Sequence, residues 1–181
     1  MKEVTVNGRT LKIRQAERRD AKLLANLGAD TFADTYSSIP PTGDLTDYLR
    51  EAFSPERMLE DIADDRVILF LGSILKTACS YIKLQPTPVR EVIRGDNPIE
   101  LVRLYVQPEW KGLGIGGALL ELGLAAARDK GYKACWLKVW QGNTRAIDFY
   151  ENRGFSQAGS EPYPVGGTSR DVPLMVRPIE S

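Results

Sequence analysis

A glycine-rich segment shows the residue types and spacing that point most directly to chemistry. Its sequence is Lys111-Gly112-Leu113-Gly114-Ile115-Gly116-Gly117, and it lies between a strand-like run and an amphipathic helical pattern. Glycines let backbone N–H groups approach a ligand closely, and the N-terminus of a helix adds partial positive charge. The segment therefore predicts a binding site for a phosphate-containing ligand.

The glycine spacing alone admits more than one class of ligand. The P-loop pattern, which ends in Gly-Lys-Ser/Thr, has no match between Gly112 and Leu119. Gly112, Gly114 and Gly117 do match the dinucleotide pattern Gly-x-Gly-x-x-Gly. However, residues 107–111 separate them from the preceding strand, and the expected ribose-binding acid is missing after the next strand. A dinucleotide site is disfavoured and stays an alternative.

The composition restricts the chemistry that is available. The chain contains no histidine, which excludes Ser-His-Asp and Cys-His nucleophile activation and every histidine-based zinc site. Cys79 and Cys135 lie among strand-forming residues, where a buried and inert thiol is the common case. We therefore expect neither a thiol nucleophile nor a metal.

Charge and hydropathy restrict the partners. Lys+Arg and Asp+Glu both number 24, so no net positive field favours nucleic acid. The longest apolar run, Val67 to Leu71, is too short to span a bilayer, and the first residues lack a secretory pattern. We expect a cytoplasmic protein with neither nucleic-acid nor membrane partners.

The hydrophobic patterns predict alternating strands and helices. Asn7-Gly8 predicts a hairpin between alternating arms. Helices are predicted from about Glu17 to between Thr31 and Tyr36, from an N-cap at Asp44 after a break at 39–43, from Ser54-Pro55, from Ile115 to a C-cap at Gly131, and from Asn143 to Asn152. Strands are predicted at 66–71 and 74–84 with a turn at Gly72-Ser73, and at 101–106, 134–140, 155–158 and 172–176, with residues 85–98 as an irregular connection.

This order of elements predicts an α+β fold, an α/β/α sandwich. We expect one domain over residues 1–181, with a mixed, mostly antiparallel central sheet and helices on both of its faces. Parallel pairing is required only in the middle, where strand 101–106, the crossover helix and strand 134–140 form a right-handed βαβ unit.

Three segments carry a resemblance to a known family. Residues 104–116, Leu-Tyr-Val-Gln-Pro-Glu-Trp-Lys-Gly-Leu-Gly-Ile-Gly, resemble the pyrophosphate-binding signature of the GNAT superfamily of acetyltransferases, Gln/Arg-x-x-Gly-x-Gly/Ala. Lys111 departs from the family's Gln or Arg but keeps a cation. Residues 143–155 resemble the family's Asn-x-x-Ala-x-x-Phe-Tyr-x-x-x-Gly-Phe, and Ile13 to Ala16 with Asp20-Ala21 resembles its first strand and helix.

Shorter segments resemble the bacterial spermine/spermidine acetyltransferases within this superfamily. They are Thr31-Phe32, Asp44 to Leu49, Phe53 to Glu56, Tyr81 to Leu84 and Trp136 to Trp140. The resemblance implies an acetyl-CoA-dependent N-acetyltransferase without a metal, whose small-molecule primary amine is a polyamine such as spermidine. The alternatives are a protein or peptide amine, a non-catalytic acyl-CoA sensor and an NAD(P)-binding protein. A monomer and a homodimer both stay open.

The resemblance also implies roles for individual residues. The residues expected to contact the cofactor are Leu104, Tyr105, Val106, Lys111, Gly112, Leu113, Gly114, Ile115, Gly116, Gly117, Asn143, Ala146 and Tyr150. The Val106 N–H is the expected oxyanion donor, the Tyr150 hydroxyl the acid for the leaving sulfur, and Glu100 a base for the ammonium. The structural alternatives are a buried strand at Val106, an N-cap at Asn143, core packing at Tyr150 and a salt bridge at Glu100. Asp34, Tyr36, Asp44 and Tyr48 could flank a cation, although caps and surface packing explain most of them.

Overall fold

The computed structural model describes residues 1–35, 49–93, 96–165 and 168–180. The chain divides into two compact units. The first unit contains Met1–Leu84 and Arg103–Gly123, and the second contains Gln85–Val102 and Leu124–Ser181. In the described ranges, no helix is both long enough and apolar enough to cross a membrane.

Four antiparallel strands build the first unit. They are β1 (Lys2–Val6), β2 (Arg9–Gln15), β3 (Ile68–Ile74) and β4 (Thr77–Gln85), and they pair in chain order. Asn7 and Gly8 join β1 to β2 with φ of 45° and 75°. Left-handed backbone at both turn positions matches the right-handed twist of the two strands, which is why Asn-Gly is favoured there. The predicted hairpin is confirmed.

The turn between β3 and β4 differs from the prediction. We expected it at Gly72-Ser73, but β3 continues through both residues and turns at Leu75 and Lys76, with φ of 50° and 69°. Gly72 serves the strand instead, because a Cβ there would lie 2.3 Å from the Ser80 Oγ on β4. The glycine allows a close approach across the pair, and two residues that rarely take left-handed backbone form the turn.

The helices of the first unit begin at identifiable caps. A 3-10 turn, Arg18–Asp20, leads into α1 (Ala21–Thr35), and α2 covers Pro55–Ala63. The Ser54 hydroxyl accepts a hydrogen bond from the Arg57 N–H at 3.1 Å, which confirms the predicted cap. Residues 49–52 are helical. The predicted break at 39–43 and the N-cap at Asp44 lie outside the described residues.

Helices cover both faces of β4. On one face, Tyr81 packs in a core that includes Leu24 of α1 and Met58 of α2. On the other face, a Cβ at Gly123 would lie 2.9 Å from the methyl groups of Ile82 and Leu84. Side chains alternate along a strand, so residues 81 and 82 point to opposite sides. The prediction of helices on both faces is confirmed in this unit.

The remaining elements complete the predicted order. They are β5 (Pro98–Val106), α3 (Ile115–Asp129), β6 (Ala134–Lys138), α4 (Thr144–Glu151), β7 (Ser156–Val165) and β8 (Thr168–Pro178). In the second unit the strand order is β5-β6-β8-β7, with β5 and β6 parallel and the other pairs antiparallel. The mixed sheet and its single predicted parallel pair are confirmed. The predicted strand 134–140 is two residues too long, and β5, β7 and β8 are longer than predicted.

Helix α3 ends in a glycine cap. Gly131 has φ of 85°, the Tyr132 N–H donates to the Ala127 carbonyl at 3.0 Å, and the Gly131 N–H donates to the Arg128 carbonyl at 2.8 Å. These are the two hydrogen bonds of a Schellman motif, which satisfies carbonyls left open at a helix end. The predicted C-cap at Gly131 is confirmed.

A buried ion pair links α2 to β4. The Lys83 Nζ lies 2.5 Å from the Asp61 Oδ2, and the two side chains are only 2% and 3% exposed. Arg57 approaches the other oxygen of Asp61 at 3.4 Å. Burial lowers the pKa of Lys83 to about 8. Lys83 is therefore still mainly charged at neutral pH, and Asp61 compensates its charge.

We expect removal of one charge of this ion pair to destabilise the fold more than removal of both charges. The single substitution Asp61→Ala leaves a buried ammonium without its carboxylate and is expected to lower the free energy of unfolding by about 3–5 kcal/mol. The double substitution Asp61→Leu with Lys83→Met removes both charges and is expected to change it far less. Urea unfolding at pH 7 measures both, and equal losses in the two variants would contradict the expectation.

Candidate active site

The glycine segment follows the end of β5 after a short connection. The Gln107 N–H donates to the Cys79 carbonyl of β4 at 2.9 Å, and a 3-10 turn then covers Pro108–Trp110. Gly112 and Gly114 follow with φ of 83° and 85°. Two left-handed glycines so close together turn the chain abruptly from the strand end into the helix.

This turn presents the N-terminus of α3. The Ala118 N–H makes the first hydrogen bond of the helical i to i−4 pattern, to the Gly114 carbonyl at 3.1 Å. The N–H groups of Ile115, Gly116 and Gly117 precede it, so they have no acceptor within the helix. The space where a Cβ would lie at Gly112 and Gly114 is open to at least 4 Å. Backbone donors and the helix dipole can therefore meet an anion here.

Lys111 supplies a cation at the beginning of this segment. Its Nζ lies 2.7 Å from the Asp34 Oδ2 near the end of α1, and the two side chains are 31% and 44% exposed. The predicted positive charge is thus present, and it is already paired with a carboxylate. From the sequence, Asp34 is a candidate neighbour of a cationic substrate, whereas in the structure it contacts Lys111.

The end of β5 is partly buried, and one of its residues packs in an aromatic contact. The Tyr105 ring meets the Tyr81 ring edge to face at a centroid distance of 5.4 Å. Leu104 and Val106 are half-buried and, by strand alternation, point away from this aromatic contact. The packing at Tyr105 fits the structural alternative. The Val106 N–H as oxyanion donor stays a prediction.

The second predicted motif lies in the second unit. The Asn143 Oδ1 accepts a hydrogen bond from the Ala146 N–H at 3.1 Å, so Asn143 caps α4. The cap uses the oxygen of this amide, and its two N–H donors are not part of it. The N-cap alternative is confirmed, while contacts of Asn143 and Ala146 with a cofactor stay predictions.

Tyr150 is held by aromatic and backbone contacts. Its ring lies edge to face with Phe149 at 5.1 Å and with Phe155 at 5.4 Å, measured between centroids. Its carbonyl accepts hydrogen bonds from the Arg153 N–H at 2.9 Å and the Phe155 N–H at 3.1 Å. The side chain is half-buried. These contacts fix the direction of the ring, and the role of the hydroxyl stays a prediction.

Glu100 is the buried member of a cluster of charges whose other members are partly exposed. The Thr87 hydroxyl donates to its Oε2 at 2.6 Å, and the Lys138 Nζ lies 3.5 Å from its Oε1. Lys138 also lies 3.7 Å from Glu161, which Arg90 contacts at 2.5 Å. We expected an exposed carboxylate if Glu100 formed a salt bridge. The salt bridge is present, but Glu100 is only 5% exposed.

Sequence reasoning missed the partners of Glu100. Hydrogen bonds from Arg90 lower the pKa of Glu161, which is therefore ionised at neutral pH. Lys138 gave a weak signal, since it interrupts an apolar strand two residues after Trp136. Thr87 and Arg90 gave none, because they lie in an irregular, proline-rich connection with no periodic pattern.

The thiols of the two cysteines are buried away from solvent. Both are free. Burial raises the pKa of Cys79, and it raises the pKa of Cys135 to about 12. Both thiols are therefore protonated at neutral pH, which agrees with the prediction that they are inert.

Comparison with known proteins connects this geometry to a family. The sequence pattern of the acetyltransferase (GNAT) family matches residues 32–155. An uncharacterised N-acetyltransferase of Mycobacterium bovis is 30% identical over 161 residues, which is 88% of this chain and 98% of the relative. A spermidine N(1)-acetyltransferase of Thermoplasma acidophilum is 29% identical over 150 residues, 81% of this chain and 88% of the relative.

A solved structure shows the same fold. The PaiA N-acetyltransferase of Thermoplasma acidophilum, crystallised in complex with coenzyme A, superposes with a TM-score of 0.75 at 23% identity. The match covers 93% of this chain and 98% of the other. The predicted α+β architecture is confirmed by this likeness.

The two ends of α3 provide a matched test of the glycine segment. Gly114 and Gly131 both have φ of 85° and open space at the Cβ position. Alanine at either position is expected to cost about 1–2 kcal/mol of stability, because left-handed backbone strains any residue with a Cβ. Only Gly114→Ala is expected to weaken coenzyme A binding, measured by calorimetry. An equal loss of affinity in Gly131→Ala would contradict a site at the N-terminus of the helix.

Proposed function

Because the chain belongs to the acetyltransferase (GNAT) family and is an acetyl-CoA-dependent N-acetyltransferase, we propose that the glycine segment binds the diphosphate of acetyl-CoA. The observation that carries this proposal is the pair of left-handed glycines directly before α3. They leave the N–H groups of Ile115, Gly116 and Gly117 ahead of the first helical hydrogen bond. Lys111 adds a cation, which an anionic diphosphate requires nearby.

The remaining cofactor contacts follow the family resemblance. Backbone groups of the β5 end and side chains of α4 contact the pantetheine arm and the acetyl group. The proposed contacts are Leu104, Tyr105, Val106, Lys111, Gly112, Leu113, Gly114, Ile115, Gly116, Gly117, Asn143, Ala146 and Tyr150. The amide donors of Asn143 that its cap does not use support its place in this set. Residues 1–181 act as a single N-acetyltransferase domain, which the family match supports because it includes residues of both units.

The reaction is a direct transfer in a ternary complex. The neutral amine of the acceptor attacks the thioester carbonyl, and the Val106 N–H stabilises the negative charge that develops on its oxygen. The tetrahedral intermediate then collapses, and the bond between carbon and sulfur breaks. The Tyr150 hydroxyl gives its proton to the departing thiolate of coenzyme A, and the acetylated nitrogen loses the proton that restores the Tyr150 hydroxyl. No covalent intermediate on the enzyme is required, which suits a chain without histidine.

Glu100 removes the proton from the acceptor ammonium, directly or through water. Its place on β5 supports this role, because by strand alternation Glu100 lies on the same face as Leu104 and Val106. The hydrogen bond from Thr87 fixes the carboxylate in one orientation. A base must be held in this way to meet its proton with the correct geometry.

The acceptor is a small primary amine of the polyamine class, such as spermidine, and the reaction takes place in the cytoplasm. The spermidine acetyltransferase of Thermoplasma acidophilum supports this class, because its likeness covers most of both chains. The free, reduced cysteines support a reducing compartment.

A panel of amines tests the acceptor. We expect release of coenzyme A from acetyl-CoA with spermidine and spermine, and a much lower kcat/KM with peptides that carry a free N-terminal amine. A thiol assay measures the rates, and mass spectrometry identifies the acetylated product. Turnover with the peptides alone would replace the polyamine proposal by the peptide alternative, and coenzyme A binding without any turnover would favour an acyl-CoA sensor.

Tyr150→Phe tests the proposed acid. The substitution keeps the ring and its contacts with Phe149 and Phe155 but removes the proton. We expect kcat to fall by about 10²–10⁴-fold, the usual contribution of general acid catalysis. The Kd for acetyl-CoA is expected to change little. The matched control is Tyr132→Phe at another half-buried tyrosine, and an unchanged kcat in Tyr150→Phe would exclude Tyr150 as the acid.

A further inference from the structure

Two anions can pair with the Lys111 ammonium, and this inference rests on the proposed diphosphate site. One is the anion that the glycine segment is proposed to bind. The other is the Asp34 carboxylate, which lies 2.7 Å from the Lys111 Nζ although the residues are 77 positions apart in the chain. Asp34 is the last acidic residue of α1, one residue before the helix ends at Thr35.

Both partners are exposed enough to separate. The side chain of Lys111 is 31% exposed and that of Asp34 is 44% exposed. Water can therefore solvate each charge once the pair is broken, and such pairs contribute little to folding. The buried pair of Lys83 and Asp61, at 2% and 3% exposure, has no such freedom. The salt bridge between Lys111 and Asp34 can therefore open at little cost in folding free energy.

A diphosphate would change the balance at Lys111. The ammonium gains from an anion at the helix N-terminus, whereas a carboxylate held beside the same anion is repelled by it. Lys111 immediately precedes Gly112, so its backbone is anchored at the segment whichever partner its flexible side chain contacts. The Asp34 carboxylate and the diphosphate can thus each pair with the same ammonium, that of Lys111.

We propose that Asp34 competes with the diphosphate of acetyl-CoA for the Lys111 ammonium. The salt bridge opens when the cofactor binds and re-forms as coenzyme A leaves. Asp34 thereby sets the affinity for both forms of the cofactor below the value that the glycine segment and Lys111 would reach alone. Asp34 is a positioning residue, because it acts on the cofactor through Lys111.

A double-mutant cycle on the full chain tests this competition. Calorimetry with coenzyme A gives the Kd of the wild type, Asp34→Asn, Lys111→Met and the double variant, at low salt, where binding is tightest. We expect Asp34→Asn to lower the Kd by about twofold to fivefold, the range that an exposed ion pair supports. Lys111→Met is expected to raise the Kd. In the Lys111→Met background, Asp34→Asn is expected to have a clearly smaller effect, because only the direct repulsion between the carboxylate and the diphosphate then remains.

A neighbouring acid separates this effect from general electrostatics. Asp30 lies one helical turn before Asp34 on α1 and is also exposed. Asp30→Asn removes the same charge from the same helix, and we expect it to leave the Kd nearly unchanged. Equal gains in Asp30→Asn and Asp34→Asn would overturn the proposal, as would a gain from Asp34→Asn that is equally large in the Lys111→Met background.

The proposed cofactor site and this inference fail in different ways. If the site is wrong, Lys111→Met and Gly114→Ala leave the Kd at its wild-type value. If only the competition is wrong, both raise the Kd while Asp34→Asn does not lower it. Circular dichroism of each variant establishes that it is folded before its affinity is compared.

Discussion

The position of helix α3 depends on two residues that hold backbone conformations most side chains avoid. Gly112 and Gly114 both have φ above 80°, and they turn the chain within a few residues from the end of β5 into the helix. A Cβ at either position would strain the turn and would also occupy the open space in front of the helix N-terminus. One constraint therefore sets the direction of α3 and keeps its first N–H groups accessible. The Schellman motif at Gly131 then closes the other end of the same helix.

Buried charges in each unit are matched by specific partners. In the first unit, Arg103 donates to the Ala52 carbonyl at 2.7 Å and lies 4.4 Å from the centre of the Phe53 ring. In the second unit, Lys138 lies between two carboxylates, Glu100 and Glu161. A cluster of this kind stabilises a fold only weakly, since desolvation opposes the attraction between the charges. Its clearer effect is geometric, because each charge fixes the orientation of the next.

Features that depend on neighbouring residues could be predicted from the sequence, and features that depend on distant residues could not. Asn7-Gly8 formed its hairpin and Ser54 its cap, because both are decided within a few positions. The turn at Leu75 and Lys76 carries no such signal, since neither residue favours left-handed backbone. The turn was predicted at Gly72, but this glycine instead allows the close approach of Ser80 on the neighbouring strand.

The sequence supports the parts of the predicted site unevenly as well. The glycine segment was visible because its spacing is local, and the resemblance to the GNAT family added Asn143 and Tyr150. Glu100 was predicted from its place on a strand, whereas its partners were not, since Glu161 reaches the cluster only through the pairing of β7 with β8. Arg90 illustrates the limit, because its place in the cluster depends on a hydrogen bond to Glu161, 71 positions away.

The burial of both cysteines has a practical consequence for experiments on this chain. Cys79 and Cys135 are the only thiols in the sequence, and both are buried, with pKa values raised by burial. Reagents that report free thiols by disulfide exchange react with thiolates, which neither residue provides in the folded protein near neutral pH. A cysteine introduced at an exposed position would consequently be the single reactive thiol, so the native chain can accept a fluorophore or spin label at one chosen position without removing either natural cysteine.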